Sequence, residues 1–154
     1  LRFVLGIDPG SQGAAALLGC GGSARPTLAG MCDAADLGRL LPLAARAELV
    51  LVESQSASPQ MGVSSAFSLG MATGRLQGAL EAFLGQGGRS VAPTRWKASY
   101  GLQGGRAGKV GGMALARELL GPGAAACDRL QRHDQADAVL IAWWGWRNLV
   151  TTRN

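Results

Sequence analysis

Residues 1–20, LRFVLGIDPGSQGAAALLGC, decide the fold. Residues 2–7 form a short, mostly apolar run that reads as a buried strand. Asp8-Pro9-Gly10-Ser11 has the composition of a tight turn. Residues 13–20 are small and apolar and read as the returning strand. Asp8 is therefore a carboxylate at the end of an apolar strand, where burying its charge without a partner is costly. Two readings of it stay open: a turn former ahead of Pro-Gly, or a ligand for something that needs negative charge.

Outward from this hairpin, residues 19–26 (GCGGSARP) are a second turn, and 27–33 (TLAGMCD) a weaker third strand in an antiparallel meander. Residues 34–47 have helical spacing, interrupted by Pro42. Residues 48–54 (ELVLVES) are a short buried strand ending at Glu53. A polar loop, 54–65, leads to a helix over 66–87 that repeats Phe67, Met71, Leu76, Leu80 and Phe83. Its Gly70, Gly74 and Gly78 form a stripe that would let another helix approach closely. The reading continues with a fifth strand over 89–96 (RSVAPTRW), a flexible loop over 102–108, and helices over 109–121 and 134–150. This order predicts an α/β chain: a mixed five-stranded sheet flanked by helices, of the ribonuclease-H-like kind. The expectation is one domain over 1–154, with no linker or internal repeat.

The chain has 154 residues, 47% of them hydrophobic, enough for one core. No apolar run is long enough to span a bilayer, and no membrane association is expected. A net charge of +5 and a pI near 9.9 favour a polyanionic partner over a neutral small molecule. The charge is concentrated in residues 89–117, which hold Arg89, Arg95, Lys97, Arg106, Lys109 and Arg117 and no acid. The alternative is an ordinary solvated basic face. Cys20, Cys32 and Cys127 are scattered without metal-ligand spacing, which points to a reduced compartment and no zinc site. Leu1 in place of Met implies an upstream segment, such as a targeting peptide.

Four of the ten acids are hard to explain as surface charges. Asp8 and Glu53 end apolar strands. Asp134 and Asp137, three apart at the start of the last helix, share one face. If the two strands are neighbours and the helix crosses the sheet, the four converge. Like charges crowd this way only when cations neutralise them. All-oxygen ligands suit Mg²⁺ or Mn²⁺, and two such ions roughly 3.5–4 Å apart would clamp the attacking and leaving oxygens of a phosphodiester. Against this, Asp134 could simply be the cap of its helix. Glu53 and Asp137 have no comparably simple alternative.

GIDPG, LVLVES and HDQADAVLIA, in this order and spacing, resemble the three acidic motifs of RuvC-type Holliday junction resolvases. ESQSASPQMGVSSAFSLG and the Trp-Lys pair of PTRWKASYG are most similar to the plastid branch of plants and green algae. The resemblance implies a homodimer that cuts two opposed strands of a four-way DNA junction, using two Mg²⁺ or Mn²⁺ ions per site and no small-molecule cofactor. It implies Asp8, Glu53, Asp134 and Asp137 as metal ligands. It places Lys97 and Lys109 beside the scissile phosphate and the junction backbone, and it implies a chloroplast nucleoid location. Bacterial members carry an aromatic residue three positions after the glutamate, where this chain has Ser56. The polar loop Ser54, Gln55, Ser56, Gln60 and Met61 is then the candidate base reader, with Met61 as an apolar wedge, and an ordinary surface loop is the alternative.

Arg95 and Arg106 join the two lysines as candidate DNA contacts. His133, the only histidine, is read either as a phosphate donor or proton shuttle or as an inert helix-start residue. Trp143, Trp144 and Trp146 read as core or hydrophobic cover. The glycine-striped helix is the candidate dimer seam, with packing on the chain's own sheet as the alternative. Three rivals remain in view: an actin-like sugar kinase, for which the chain is too short; a nuclease acting on RNA or single strands; and a non-catalytic junction binder.

Overall fold

The computed structural model describes residues 2–10, 12–21, 25–121 and 130–150. Strands β1 (Arg2–Asp8), β2 (Ala14–Cys20) and β3 (Thr27–Cys32) form the antiparallel meander. β4 (Leu49–Glu53) and β5 (Arg89–Val91) add in parallel beyond β1, giving the order β3-β2-β1-β4-β5. Helices α1 (Leu37–Arg46), α2 (Val63–Leu84), α3 (Pro93–Ser99), α4 (Gly105–Leu120) and α5 (His133–Gly145) complete the described chain, with a π-helical turn over Trp146–Val150. The mixed five-stranded sheet with flanking helices is the expected fold class.

β1 and β2 are central and covered on both faces, so their sequences are nearly continuous apolar runs without polar alternation. The two faces still divide by the strand period of two. Val4, Ala14, Ala16 and Leu18 pack with Leu51, Trp96, Val139 and Leu140 under α4 and α5. Leu5, Ile7, Ala15 and Leu17 pack with Leu40, Ala44, Leu76 and Leu80 under α1 and α2. Gly6 lets α5 lie directly on β1, because a Cβ there would overlap the Ala138 carbonyl oxygen. This close approach brings the first turn of α5 toward the carboxyl end of β1. Gly13, at φ 62°, closes the β1–β2 turn.

Several boundaries differ from those the sequence suggests. Residues 89–96 are not one strand: β5 stops at Val91, and Pro93 opens α3. Proline lacks the N–H that a strand ladder needs, and it suits the first helical position. Pro42 does not interrupt α1, which runs through it under an Asp36 side-chain cap on the Arg39 N–H. The loop read over 102–108 is partly helical, since α4 begins at Gly105. α2 begins earlier than expected, at Val63, and ends at Gly85 in the left-handed conformation.

The apolar residues of α2 are not all core. Leu76 and Leu80 are buried, but Phe67 is 69% exposed, Met71 60% and Phe83 52%. Among the described residues, a Cβ on Gly70, Gly74 or Gly78 would meet nothing within 4 Å, so the glycine stripe is not packed on the chain's own sheet. Trp144 is core, and Trp143 and Trp146 pack against it as cover. Cys20 and Cys32 are buried free thiols, pushed up by burial to about 12 and about 11. Cys127 lies outside the described residues. No described helix is long and apolar enough to cross a membrane.

Candidate active site

Asp8 and Glu53 each stand one step beyond the Ile7–Val52 pair of the parallel β1–β4 ladder, so they are neighbours at its carboxyl end. Both are buried, as is Asp134 in the first turn of α5. Asp137 follows one turn later, its side chain 13% exposed. The four acids feel one another: Asp137 and Asp134 both repel Asp8, and Asp8 and Asp137 repel Glu53. The predicted convergence of two strand ends and one helix end is present.

Each carboxylate has a different set of partners. Asp8 Oδ1 accepts the Gly10 N–H at 3.1 Å, so it also forms the turn, as one of its two sequence readings expects. Glu53 is engaged at both oxygens. Trp96 donates its indole N–H to Oε1 at 2.9 Å, and Gln55 donates its amide to Oε2 at 3.1 Å. Asp137 Oδ2 pairs with Lys97 Nζ at 3.5 Å. Asp134 Oδ1 accepts the Gln135 N–H at 2.9 Å and stands 3.2 Å from Arg132 Nε. Asp134 is not the cap residue of α5, which is Arg132.

Burial dominates the electrostatics. It pushes Asp8 from an ordinary 3.8 up to about 6, with the Gly10 N–H opposing and Asp137 and Asp134 adding repulsion. It pushes Glu53 from 4.5 up to about 7, helped by Asp8 and opposed by Trp96 and Lys97. Asp137 is also raised by burial, with Lys97 opposing. Near neutral pH Asp8 and Glu53 are thus poised between their protonated and ionised forms.

Lys97 is the one predicted basic residue brought into the cluster. α3 turns it there, with its ammonium over the Trp96 ring at 5.0 Å. Lys109 is exposed on α4, one turn before Gly112, where a Cβ would stand 3.5 Å from Asp137 Oδ1. Arg106 is exposed in the first turn of α4. The Arg95 guanidinium lies over the Trp144 ring at 5.4 Å, which ties it to the core helix. His133 is exposed one turn before Asp137 and attracts it.

The loop after β4 borders the acids. Ser54 continues the sheet through its N–H to the Val91 carbonyl. Gln55, Ser56 and Met61 line a cavity of about 510 Å³ with Pro9, Gly10 and the first turns of α2. Gln60 is exposed on the same loop and does not line that cavity.

Two residues of this site escape sequence reasoning. Trp96 belongs to the Trp-Lys pair, but a tryptophan in an apolar context carries no signal that it will hold a carboxylate. Arg132 bridges Asp134, Asp33, Gln12 Oε1 and the Gly13 carbonyl, joining α5 to the β1–β2 turn and the end of β3 at the same sheet edge as Asp8. The only clue to it is a basic residue immediately before the histidine-acid motif.

The donor set fits a hard divalent cation. It is all carboxylate, buried, and short of positive charge. Among the described residues no three acids, imidazoles or thiols stand close enough to enclose an ion as placed. Lys97 against Asp137 and Arg132 against Asp134 supply positive charge there.

No protein-family model and no curated protein matches the chain. Solved structures do match. Thermus thermophilus RuvC in complex with a Holliday junction substrate superposes with a TM-score of 0.69 at 22% identity, over 95% of this chain and 96% of that one. A second Thermus thermophilus RuvC structure gives 0.62 at the same identity and coverage. The chain therefore has the ribonuclease-H-like fold of RuvC along nearly its whole length.

Proposed function

We propose that this chain is a structure-selective endodeoxyribonuclease that resolves four-way DNA junctions by paired nicks in opposed strands. The observation that carries the reading is the gathering of Asp8, Glu53, Asp134 and Asp137 around Lys97 at the carboxyl end of β1 and β4. The RuvC fold supports it, because one of the matched structures holds a Holliday junction substrate.

In this reading the four carboxylates hold two Mg²⁺ or Mn²⁺ ions, which would activate water and stabilise the leaving 3′ oxygen. The chain's own groups do the rest. Glu53 is oriented by Trp96 before any ligand arrives. Lys97, now paired with Asp137, would be the ammonium that holds the scissile phosphate. Lys109, Arg95 and Arg106 hold the flanking backbone, and His133 stands where it can donate to a phosphate oxygen. Ser54, Gln55, Ser56, Gln60 and Met61 read the bases beside the cut.

The exposed Phe67, Met71 and open glycine stripe of α2 support a symmetric homodimer, which would set two sites on two equivalent strands. Plastid location rests on the motif resemblance alone, since both matched RuvC structures come from Thermus thermophilus.

The test is cleavage of an end-labelled four-way junction with Mg²⁺ or with EDTA, beside duplex, Y-shaped and single-stranded controls. Symmetric, metal-dependent nicks confined to the junction are the expected result. Equal cutting of the controls would reassign the chain as a general nuclease. Binding without cutting would make it an architectural protein.

A further inference from the structure

Gln55 touches two places at once. Its amide donates to Glu53 Oε2 at 3.1 Å, and the residue lines the cavity of about 510 Å³. The cavity and the acid cluster also meet at Gly10, which lines the first and donates its N–H to Asp8 in the second. The cavity wall combines Met61 and Leu69 with Ser56, Ser64 and Ser65. α2 starts beside it after Gly62, which offers no side-chain cap to the first turn. Apolar walls with a few convergent donors and acceptors suit a flat, polar-edged ring. A nucleobase exposed at a branch point has that chemistry.

An amide side chain has two N–H donors and one oxygen acceptor. One of the two N–H groups is held by Glu53 Oε2, and a base edge that recruits that N–H draws the amide away from Glu53. Its present bond also competes with any cation for the lone pairs of Oε2. We propose that the cavity takes an unstacked nucleobase, and that Gln55 is a positioning residue coupling its entry to the freedom of Glu53. This rests on the nuclease reading of the acid cluster and adds to it a substrate-gated step. Base entry withdraws the amide, Oε2 opens, and a cation binds more tightly. Linkage requires the reverse as well: cation binding favours base entry.

The test is calorimetric titration with Ca²⁺, whose looser oxygen coordination suits an equilibrium measurement. It is run at pH 8.5, above the about 7 of Glu53, so that protonation does not enter. Wild type is compared with Gln55→Met, which keeps length and loses the amide, and with Gln55→Ala in case the first perturbs the loop. Without DNA, both variants should bind Ca²⁺ about fivefold more tightly than wild type. With wild type, a four-way junction with intact branch-point bases should tighten Ca²⁺ about fivefold over the same junction made abasic there. The two junctions carry the same phosphates, so only the base differs.

In the variants that difference should vanish. Unchanged Ca²⁺ affinity in the DNA-free variants, or a base effect that survives in them, would overturn the proposal. Equal binding of junction and duplex by wild type would instead overturn the junction reading, while the DNA-free titration still decides the role of Gln55.

Discussion

The buried indole of Trp96 donates to Glu53 Oε1 at 2.9 Å, across 43 positions of sequence. α3 makes this contact possible. It begins at Pro93 directly after β5, and its first turn carries Trp96 inward and Lys97 toward Asp137. One short helix therefore supplies both a fixed donor for one acid and a cation for another.

Replacing Trp96 by Phe keeps most of the packing and removes the donor. The indole bond lowers the Glu53 pKa, so its loss should raise it above about 7. The acid limb of the pH–rate profile should move to higher pH, with rate recovering in alkaline buffer. Stability should fall by about 1–3 kcal/mol, the usual cost of leaving a buried acceptor unpaired. A profile that drops uniformly at all pH values would contradict this assignment.

The raised carboxyls set the pH dependence of the cation-free chain. Asp8 and Glu53 bind protons more tightly folded than unfolded, so between about pH 4 and pH 7 the native state carries more protons. Stability must then fall as pH rises through that window and level off above it. In EDTA, the melting temperature should be higher near pH 5 than near pH 8. Millimolar Mg²⁺ or Mn²⁺ should restore more at pH 8 than at pH 5, because a cation stabilises the ionised cluster. A melting temperature that rises with pH in EDTA would refute the linkage.

Asp8→Asn separates stability from activity. It removes one charge from a crowded, buried set. The cation-free protein should gain up to about 3 kcal/mol at pH 8, the equivalent of moving Asp8 from 3.8 to about 6. Junction cutting should disappear, as it should for Asp134→Asn. Junction binding should stay within about threefold, since phosphate contacts dominate affinity. Denaturant unfolding and gel-shift assays on the same preparations check both halves.

Arg132 holds Asp134 from one side and Asp33 from the other. The Asp33 pair is half in solvent and is worth no more than about 1 kcal/mol, but Arg132→Met also leaves the buried Asp134 unpaired, so stability should fall by more than that. Its effect on cation affinity should be clear, and it should be absent in an Asp134→Asn background. A double-mutant cycle on cation affinity measures that coupling. Equal losses from Arg132→Met and Asp33→Asn would place its role in the β2–β3 end instead.

Much of this protein is legible in its sequence, because the relevant signals are local. Apolar runs of five to seven residues can only be buried strands here, and an acid at the end of such a run marks the sheet's carboxyl edge. That is why Asp8 and Glu53, and the helical pair Asp134 and Asp137, can be named from pattern. Pro93 is equally visible, but reading 89–96 by β propensity overlooks what proline does at a strand end. The openness of the α2 glycines is not legible, since a small-residue stripe looks the same whether covered or bare. The partners of the acids belong to tertiary structure for a different reason. Trp96, Arg132 and Gln55 acquire their roles from contacts a few ångströms long, and those depend on how closely α5 settles onto Gly6 and where α3 turns after β5. Pattern selects which charges must be buried; only the packed fold decides what stands beside them.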